Sequence, residues 1–194
     1  MNILLPPGHH RWIDEVREEI AALGGAPGIA AIEDVSARLA ALAVQPEAPR
    51  SAQFAAERYQ RRLIVGGADD DALSCLLISW PAAHRTPLHD HAGLWGIELV
   101  LDGALEVEEF AIGHDGGDAR LTHRRTLMLG IGDAAVFTGQ HYAHRCRNLS
   151  ATRPALSLHV YGGVLDRYRA FDAAANGRYV ARPQQARVDT LLTV

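Results

Sequence analysis

The sequence predicts a mainly β protein, an antiparallel sandwich or barrel with helices packed on its outside. After residue 62 the chain becomes a succession of short apolar or alternating runs, the period-two pattern of strands. Turn residues separate those runs: Gly66-Gly67, Asp102-Gly103, Gly116-Gly117, Gly130 and Gly132-Asp133. Before residue 62 the apolar residues instead recur every three or four positions, the spacing of one helix face.

In chain order, Ile13, Val16, Ile20 and Leu23 predict a first helix that closes at Gly24-Gly25. Ile32, Val35, Leu39 and Leu42 predict a second, running from Ile29 to Val44 and ended by Pro46. Ser51 is a residue type that caps helices, so a third is expected through Phe54 and Arg58. Strands are expected at residues 62–65, 72–80, 86–91, 96–101, 104–110, 120–129, 134–137, 144–148 and 155–161. Asp102-Gly103 lies between two apolar runs and predicts a hairpin. No low-complexity linker interrupts the chain, so residues 1–194 are expected to form one domain, mainly helical over 1–61 and a β-barrel over 62–194.

Composition narrows the function classes. Hydrophobic residues make up 48% and charged residues 22%, enough to build a core and too apolar for a disordered chain. The net charge of −4 gives no general attraction to nucleic acid or anionic membrane, and neither partner is expected. All 19 basic residues are Arg, a bias that lowers the weight of any one of them. Two cysteines, Cys75 and Cys146, provide no disulfide framework and are expected as small core residues. The opening MNILLPPGHHRW has no basic segment followed by a long apolar one, so a cytoplasmic protein without a signal peptide is expected.

The chemistry concentrates in three segments. In TPLHDH (residues 86–91), residues two apart on a strand share a face, so His89 and His91 project together and Leu88 and Asp90 oppose them. Two adjacent imidazoles suit a metal ion better than a dry core, although two solvated histidines at a strand end have the same spacing. In SLHVY (residues 157–161), Ser157, His159 and Tyr161 share a face. Hydroxyl, imidazole and phenol in a row can hydrogen-bond in series. Tyr59 and Arg61 are likewise spaced by two.

HDHAGLWGIELVLDG (residues 89–103) and GDAAVFTGQHYAHRCRN (residues 132–148) resemble the two motifs of the cupin superfamily: HxH with a glycine turn downstream, then a His followed four residues later by Asn. With SLHVYGG as a third motif in the same order, residues 57–165 are similar to the thiol dioxygenase branch, which includes cysteine dioxygenase and 3-mercaptopropionate dioxygenase. The resemblance implies a cupin double-stranded β-helix barrel and an iron(II) site held by His89, His91 and His144. It implies a relay of Ser157, His159 and Tyr161, and a small thiol and O2 as substrates. His141 is set aside as an exposed loop residue on the face opposite His144. Many cupins carry a Glu ligand four or five residues after HxH. Trp95 and Gly96 stand there and Glu98 comes too late, so three neutral histidines with no carboxylate are expected.

The family's Tyr-x-Arg matches Tyr59 and Arg61, with Arg61 clamping a substrate carboxylate as in the cysteine-type enzymes. Trp95-Gly96 and SLHVYGG look more like the mercaptopropionate branch. Gly96 replaces the Cys that is cross-linked to the tyrosine in animal enzymes, which implies an unmodified Tyr161. Arg167 and Arg169 are expected to be solvated, with a second carboxylate contact as the alternative. A monomer is the simplest expectation. The competing function is a non-redox cupin, either a small-acid binder or a zinc-dependent isomerase.

Overall fold

In the computed structural model, residues 2–4, 7–23, 27–54, 57–66, 73–115, 118–139 and 141–193 are described. Helices form where the apolar spacing places them: α1 (His10–Ala21) and α2 (Ile29–Ala43). Each buries one stripe, Trp12, Ile13, Val16 and Ile20 on α1 and Ile32, Val35, Leu39 and Leu42 on α2. The Trp12 indole N–H donates to the Leu42 carbonyl at 2.9 Å, so the one polar atom of that buried ring is satisfied. Gly24-Gly25, Gly67 and Gly116-Gly117 lie outside the described residues. The expected third helix is a single 3-10 turn, Ser51–Gln53. Ser51 bonds away from that turn: its hydroxyl and its backbone N–H both donate to Asp102 Oδ2, at 2.5 and 2.9 Å.

The strands are β1 (Asn2–Leu4), β2 (Gln60–Val65), β3 (Ser74–Trp80), β4 (Gly96–Asp102), β5 (Leu105–Asp115), β6 (Asp118–Leu129), β7 (Ala134–Phe137), β8 (Tyr142–Asn148), β9 (Ala155–Tyr161), β10 (Arg167–Ala173), β11 (Tyr179–Gln185) and β12 (Thr190–Thr193). They make two facing sheets, ordered β1-β12-β2-β3-β9-β4-β7 and β10-β11-β6-β5-β8. Pairing is antiparallel except at β12, which runs parallel to β1 and to β2. This is the cupin double-stranded β-helix expected from the motifs.

The seven-stranded sheet is buried on both faces, which is why β3 and β9 show no exposed residue. Its outer face (Cys75, Leu77, Ile97, Leu99, Leu158, Val160) packs against the helices. Its inner face (Leu76, Ile78, Trp80, Val100, Tyr161) packs against Leu105, Val107 and Cys146 of the other sheet. Polar residues on the inner face of β4 and β9 therefore point into the barrel.

Two expectations are corrected. Asp102-Gly103 does not close a hairpin, because β4 and β5 belong to different sheets and the turn carries the chain between them. The turn chemistry itself is present: Gly103 has φ +78°, and a Cβ there would stand 2.8 Å from the Ala155 Cβ. Residues 86–91 do not form a strand either. They attach through isolated bridges, His89 to His144 and His89 to Ala170. Among the described residues, no helix is long and apolar enough to cross a membrane.

Candidate metal centre and adjoining cavity

His89 and His91 come from the segment between β3 and β4, and His144 comes from β8. The buried Asp90 holds that segment: its Oδ1 accepts from the backbone N–H groups of Ala92 and Arg169, and its Oδ2 from Arg169 Nε at 2.6 Å. Leu88 packs on the opposite side with Phe110, Ala143 and Phe171. Backbone bonds fix the segment between β8 and β10 as well: His89 and His144 exchange N–H···O bonds at 2.9 and 2.8 Å, and the Asp90 N–H donates to the Arg169 carbonyl at 3.1 Å.

One nitrogen each of His89, His91 and His144 lies within 4.8 Å of the others. Their hydrogen bonds fix the tautomers. His89 Nδ1 is 2.9 Å from the Pro87 carbonyl, which only accepts, so Nδ1 carries the proton. Tyr142 donates its hydroxyl proton to the Leu94 carbonyl at 3.2 Å and accepts from His91 Nδ1 at 2.7 Å. His144 Nδ1 faces the Cys146 sulfur at 3.6 Å. All three Nε2 lone pairs are then left for one point. His91 Nε2 and His144 Nε2 lie 3.0 Å apart with both residues fully buried. Burial holds His144 down to about 3 and His91 well below the usual imidazole range, so both rings are neutral. Two lone pairs facing each other at that distance repel unless a cation stands between them. The donor set therefore fits a divalent metal.

On the inner face of β9, Ser157, His159 and Tyr161 form a bonded row. The Trp80 indole N–H, which can only donate, reaches Ser157 Oγ at 2.8 Å. Ser157 Oγ is 2.8 Å from His159 Nε2, and His159 Nδ1 is 3.0 Å from the Tyr161 hydroxyl. With Trp80 donating to Ser157, the serine proton goes to His159 Nε2 and the imidazole proton sits on Nδ1 facing the phenol oxygen. The Tyr161 O–H is then free to donate outward. Burial, and then the charge of Glu98, push this phenol well above its usual range, so it stays protonated. Gly96 pairs with Tyr161 across the sheet, where a Cβ would press Tyr161 and His91 Nδ1 at 3.2 Å each.

A cavity of about 400 Å³ opens beside these groups, with Tyr59, Arg61, His89, Tyr161, Tyr168 and Arg187 on its wall. Arg61 is buried in β2 and its backbone N–H donates to Asp189 Oδ2 at 2.8 Å. Among the described residues its guanidinium makes no hydrogen bond or ion pair. Tyr59, just before β2, stacks on His84 with centroids 4.8 Å apart and meets Trp80 edge-on at 5.1 Å. Arg169 is held by Asp90, and the exposed Arg167 is 3.5 Å from Asp166, so neither lies on this wall. His141 is exposed and outside the imidazole cluster. Asn148 ties backbone together, with its Nδ2 donating to the carbonyls of Trp80, Pro81 and Arg153.

A carboxylate stands beside the imidazole cluster. Glu98 is buried on the inner face of β4, with Oε1 at 3.7 Å from His91 Nε2, 3.6 Å from His144 Nε2 and 3.4 Å from His159 Nδ1. Its spacing from HxH does not point to it; the sequence signal is that it lies two residues beyond Gly96 on β4 and shares its face. Cys146 is buried as expected but also belongs here, donating to Glu98 Oε2 at 3.3 Å.

A sequence-family profile described as Cysteine dioxygenase type I matches residues 28–174. Human Cysteine dioxygenase type 1 is 29% identical over 142 residues, covering 73% of this chain and 70% of its own. The Danio rerio protein of the same name is 29% identical over 125 residues, 62% of this chain and 59% of its own. Among solved structures, a cupin superfamily protein from Desulfitobacterium hafniense superposes with a TM-score of 0.40 at 14% identity, over 60% of this chain and 87% of that one. The profile spans the imidazole cluster, the β9 row and Arg61, and the chain belongs to the cysteine dioxygenase type I family.

Proposed function

We propose that this chain is an iron(II)-dependent thiol dioxygenase. It adds both atoms of O2 to the sulfur of a small carboxylate-bearing thiol, of cysteine or 3-mercaptopropionate type, so that thiol and O2 together make the sulfinic acid. The observation that carries the proposal is one shared wall: His89, the phenol of Tyr161 and the unpaired guanidinium of Arg61 line the same cavity.

His89, His91 and His144 would hold the metal through Nε2, with Pro87, Tyr142 and Cys146 orienting the rings. Bound iron(II) supplies acidity toward the thiol and the redox partner that O2 needs. The protein's own groups do the rest. Arg61 offers a planar fork to a carboxylate and orients the thiol away from it, toward the histidines. Tyr161 donates its O–H into the cavity, its direction set by His159, Ser157 and Trp80. Leu165 and Tyr168 limit water on the same wall.

The test is oxygen uptake by the iron-loaded protein with cysteine, 3-mercaptopropionate, mercaptosuccinate and cysteamine. One O2 consumed per acidic thiol supports the proposal, whereas stoichiometric zinc with no uptake supports a non-redox cupin. In the same assay Arg61→Ala is expected to raise KM for an acidic thiol by roughly 10- to 150-fold, the equivalent of about 1.5–3 kcal/mol of charge-assisted hydrogen bonding. Cysteamine, lacking the carboxylate, should be a poor substrate that loses little more on mutation. Arg61→Gln should move relative activity toward 3-mercaptopropionate. An unchanged KM for every acidic thiol would remove Arg61 from substrate recognition.

A further inference from the structure

We infer that Arg187 determines specificity, and that the thiol taken by this chain carries two carboxylates, one held by Arg61 and the other by Arg187. The inference rests on the dioxygenase reading above and narrows its substrate to a dicarboxylic thiol of the mercaptosuccinate kind.

Arg187 lies in the short segment between β11 and β12, and backbone bonds fix that segment at both ends. The Ala186 N–H donates to the Asp166 carbonyl at 2.7 Å, and the Asp189 N–H donates to the Arg61 carbonyl at 2.9 Å. Asp189 Oδ2 accepts the Arg61 N–H in return, at 2.8 Å. The segment therefore runs alongside Arg61, and its side chains alternate. Arg187 and Asp189 line the cavity that holds His89 and Tyr161, whereas Val188 lines an apolar cavity with Leu63 and Leu191.

Charges on the first cavity's wall are unevenly matched. Among the described residues its arginines are Arg61, Arg85 and Arg187, and its one carboxylate is Asp189. Arg85 is paired with Glu108 at 2.6 Å. Neither Arg61 nor Arg187 has a hydrogen-bond or ion-pair partner for its guanidinium among the described residues. Two unpaired forks thus face one cavity, Arg61 buried and Arg187 exposed at the mouth.

A monocarboxylic thiol engages one fork and leaves the other unmatched. Cysteine is matched less well still, since its α-ammonium would meet two unpaired cations. A second carboxylate instead gives Arg187 a charge-assisted, bidentate partner. Mercaptosuccinate is 3-mercaptopropionate with that carboxylate added to the carbon that carries sulfur. The cavity has room for it, because its volume of about 400 Å³ is in the range that encloses far larger ligands. The chemistry is unchanged: the thiol and O2 combine into a dicarboxylic sulfinic acid, with no further co-reactant.

The first readout needs no metal. Calorimetry on the metal-free protein compares 2-hydroxysuccinate with 3-hydroxypropionate, which carry a hydroxyl where the two thiols carry sulfur. The diacid is expected to bind about tenfold more tightly, a modest gain because water screens the mouth. Arg187→Ala should remove that preference, and Arg187→Lys should restore part of it. No preference in the wild type, or one that survives Arg187→Ala, overturns the inference. The second readout is O2 uptake by the iron-loaded protein. Its kcat/KM for mercaptosuccinate should exceed that for 3-mercaptopropionate, and the ratio should fall about tenfold in Arg187→Ala, mainly through KM. Arg187→Glu should raise the relative use of cysteine, whose ammonium it would meet. Uptake with monocarboxylic thiols and no advantage for mercaptosuccinate overturns the inference and leaves the dioxygenase reading standing. No uptake with any thiol sinks that reading, and the inference with it.

Discussion

His144→Ala is expected to lose stoichiometric metal binding, while His141→Ala keeps it. The two histidines are three residues apart, and the barrel wall separates their fates. His144 is fully buried in β8 with its Nε2 3.0 Å from that of His91, whereas His141 is exposed at the strand entrance. Removing His144 takes one of three converging neutral donors from the site. His89→Ala and His91→Ala should behave alike. Metal analysis after anaerobic loading and desalting reads the result directly, and full occupancy in His144→Ala would mean that the ligand set is wrong.

The second large effect is expected at Tyr161. Tyr161→Phe removes one oxygen at the end of the Trp80–Ser157–His159 chain and leaves the ring packing intact. Metal content and KM should stay near wild type, and kcat should fall by about 10²–10⁴-fold, the range for a positioned proton or hydrogen-bond donor. The split matters, because a merely structural role would disturb stability or KM as well. Wild-type kcat in Tyr161→Phe would reduce the row to a feature of the core.

Much of this architecture was legible because its pattern is local. The helix stripes from Trp12 to Leu42 and the runs of β3, β4, β7 and β9 follow directly from apolar spacing. The C-terminal strands were not legible. β11 is almost wholly exposed and contains Pro183, while β12 is short and parallel to partners far away in sequence. Those strands nonetheless matter, since the Arg187 segment between them helps close the cavity and Ala170 of β10 bridges to His89.

At the site, i and i+2 spacing brought His89 with His91, and Ser157 with His159 and Tyr161, even though residues 86–91 are not a strand. Glu98 lies outside the spacing counted from HxH, and only the face it shares with Gly96 on β4 brings it beside the histidines. Trp80 and Tyr142 carry no local signal. Their roles exist only once β3 and β8 stand beside β9 and His91, which is a matter of tertiary register.

The central claim is that one thiol sulfur receives both atoms of dioxygen in this cavity. The most direct measurement is mass spectrometry of the product formed by iron-loaded protein from an acidic thiol under isotopically heavy dioxygen. A sulfinic acid carrying two heavy oxygen atoms is the predicted result. A product with one heavy oxygen or none, or a disulfide in place of a sulfinic acid, would contradict it.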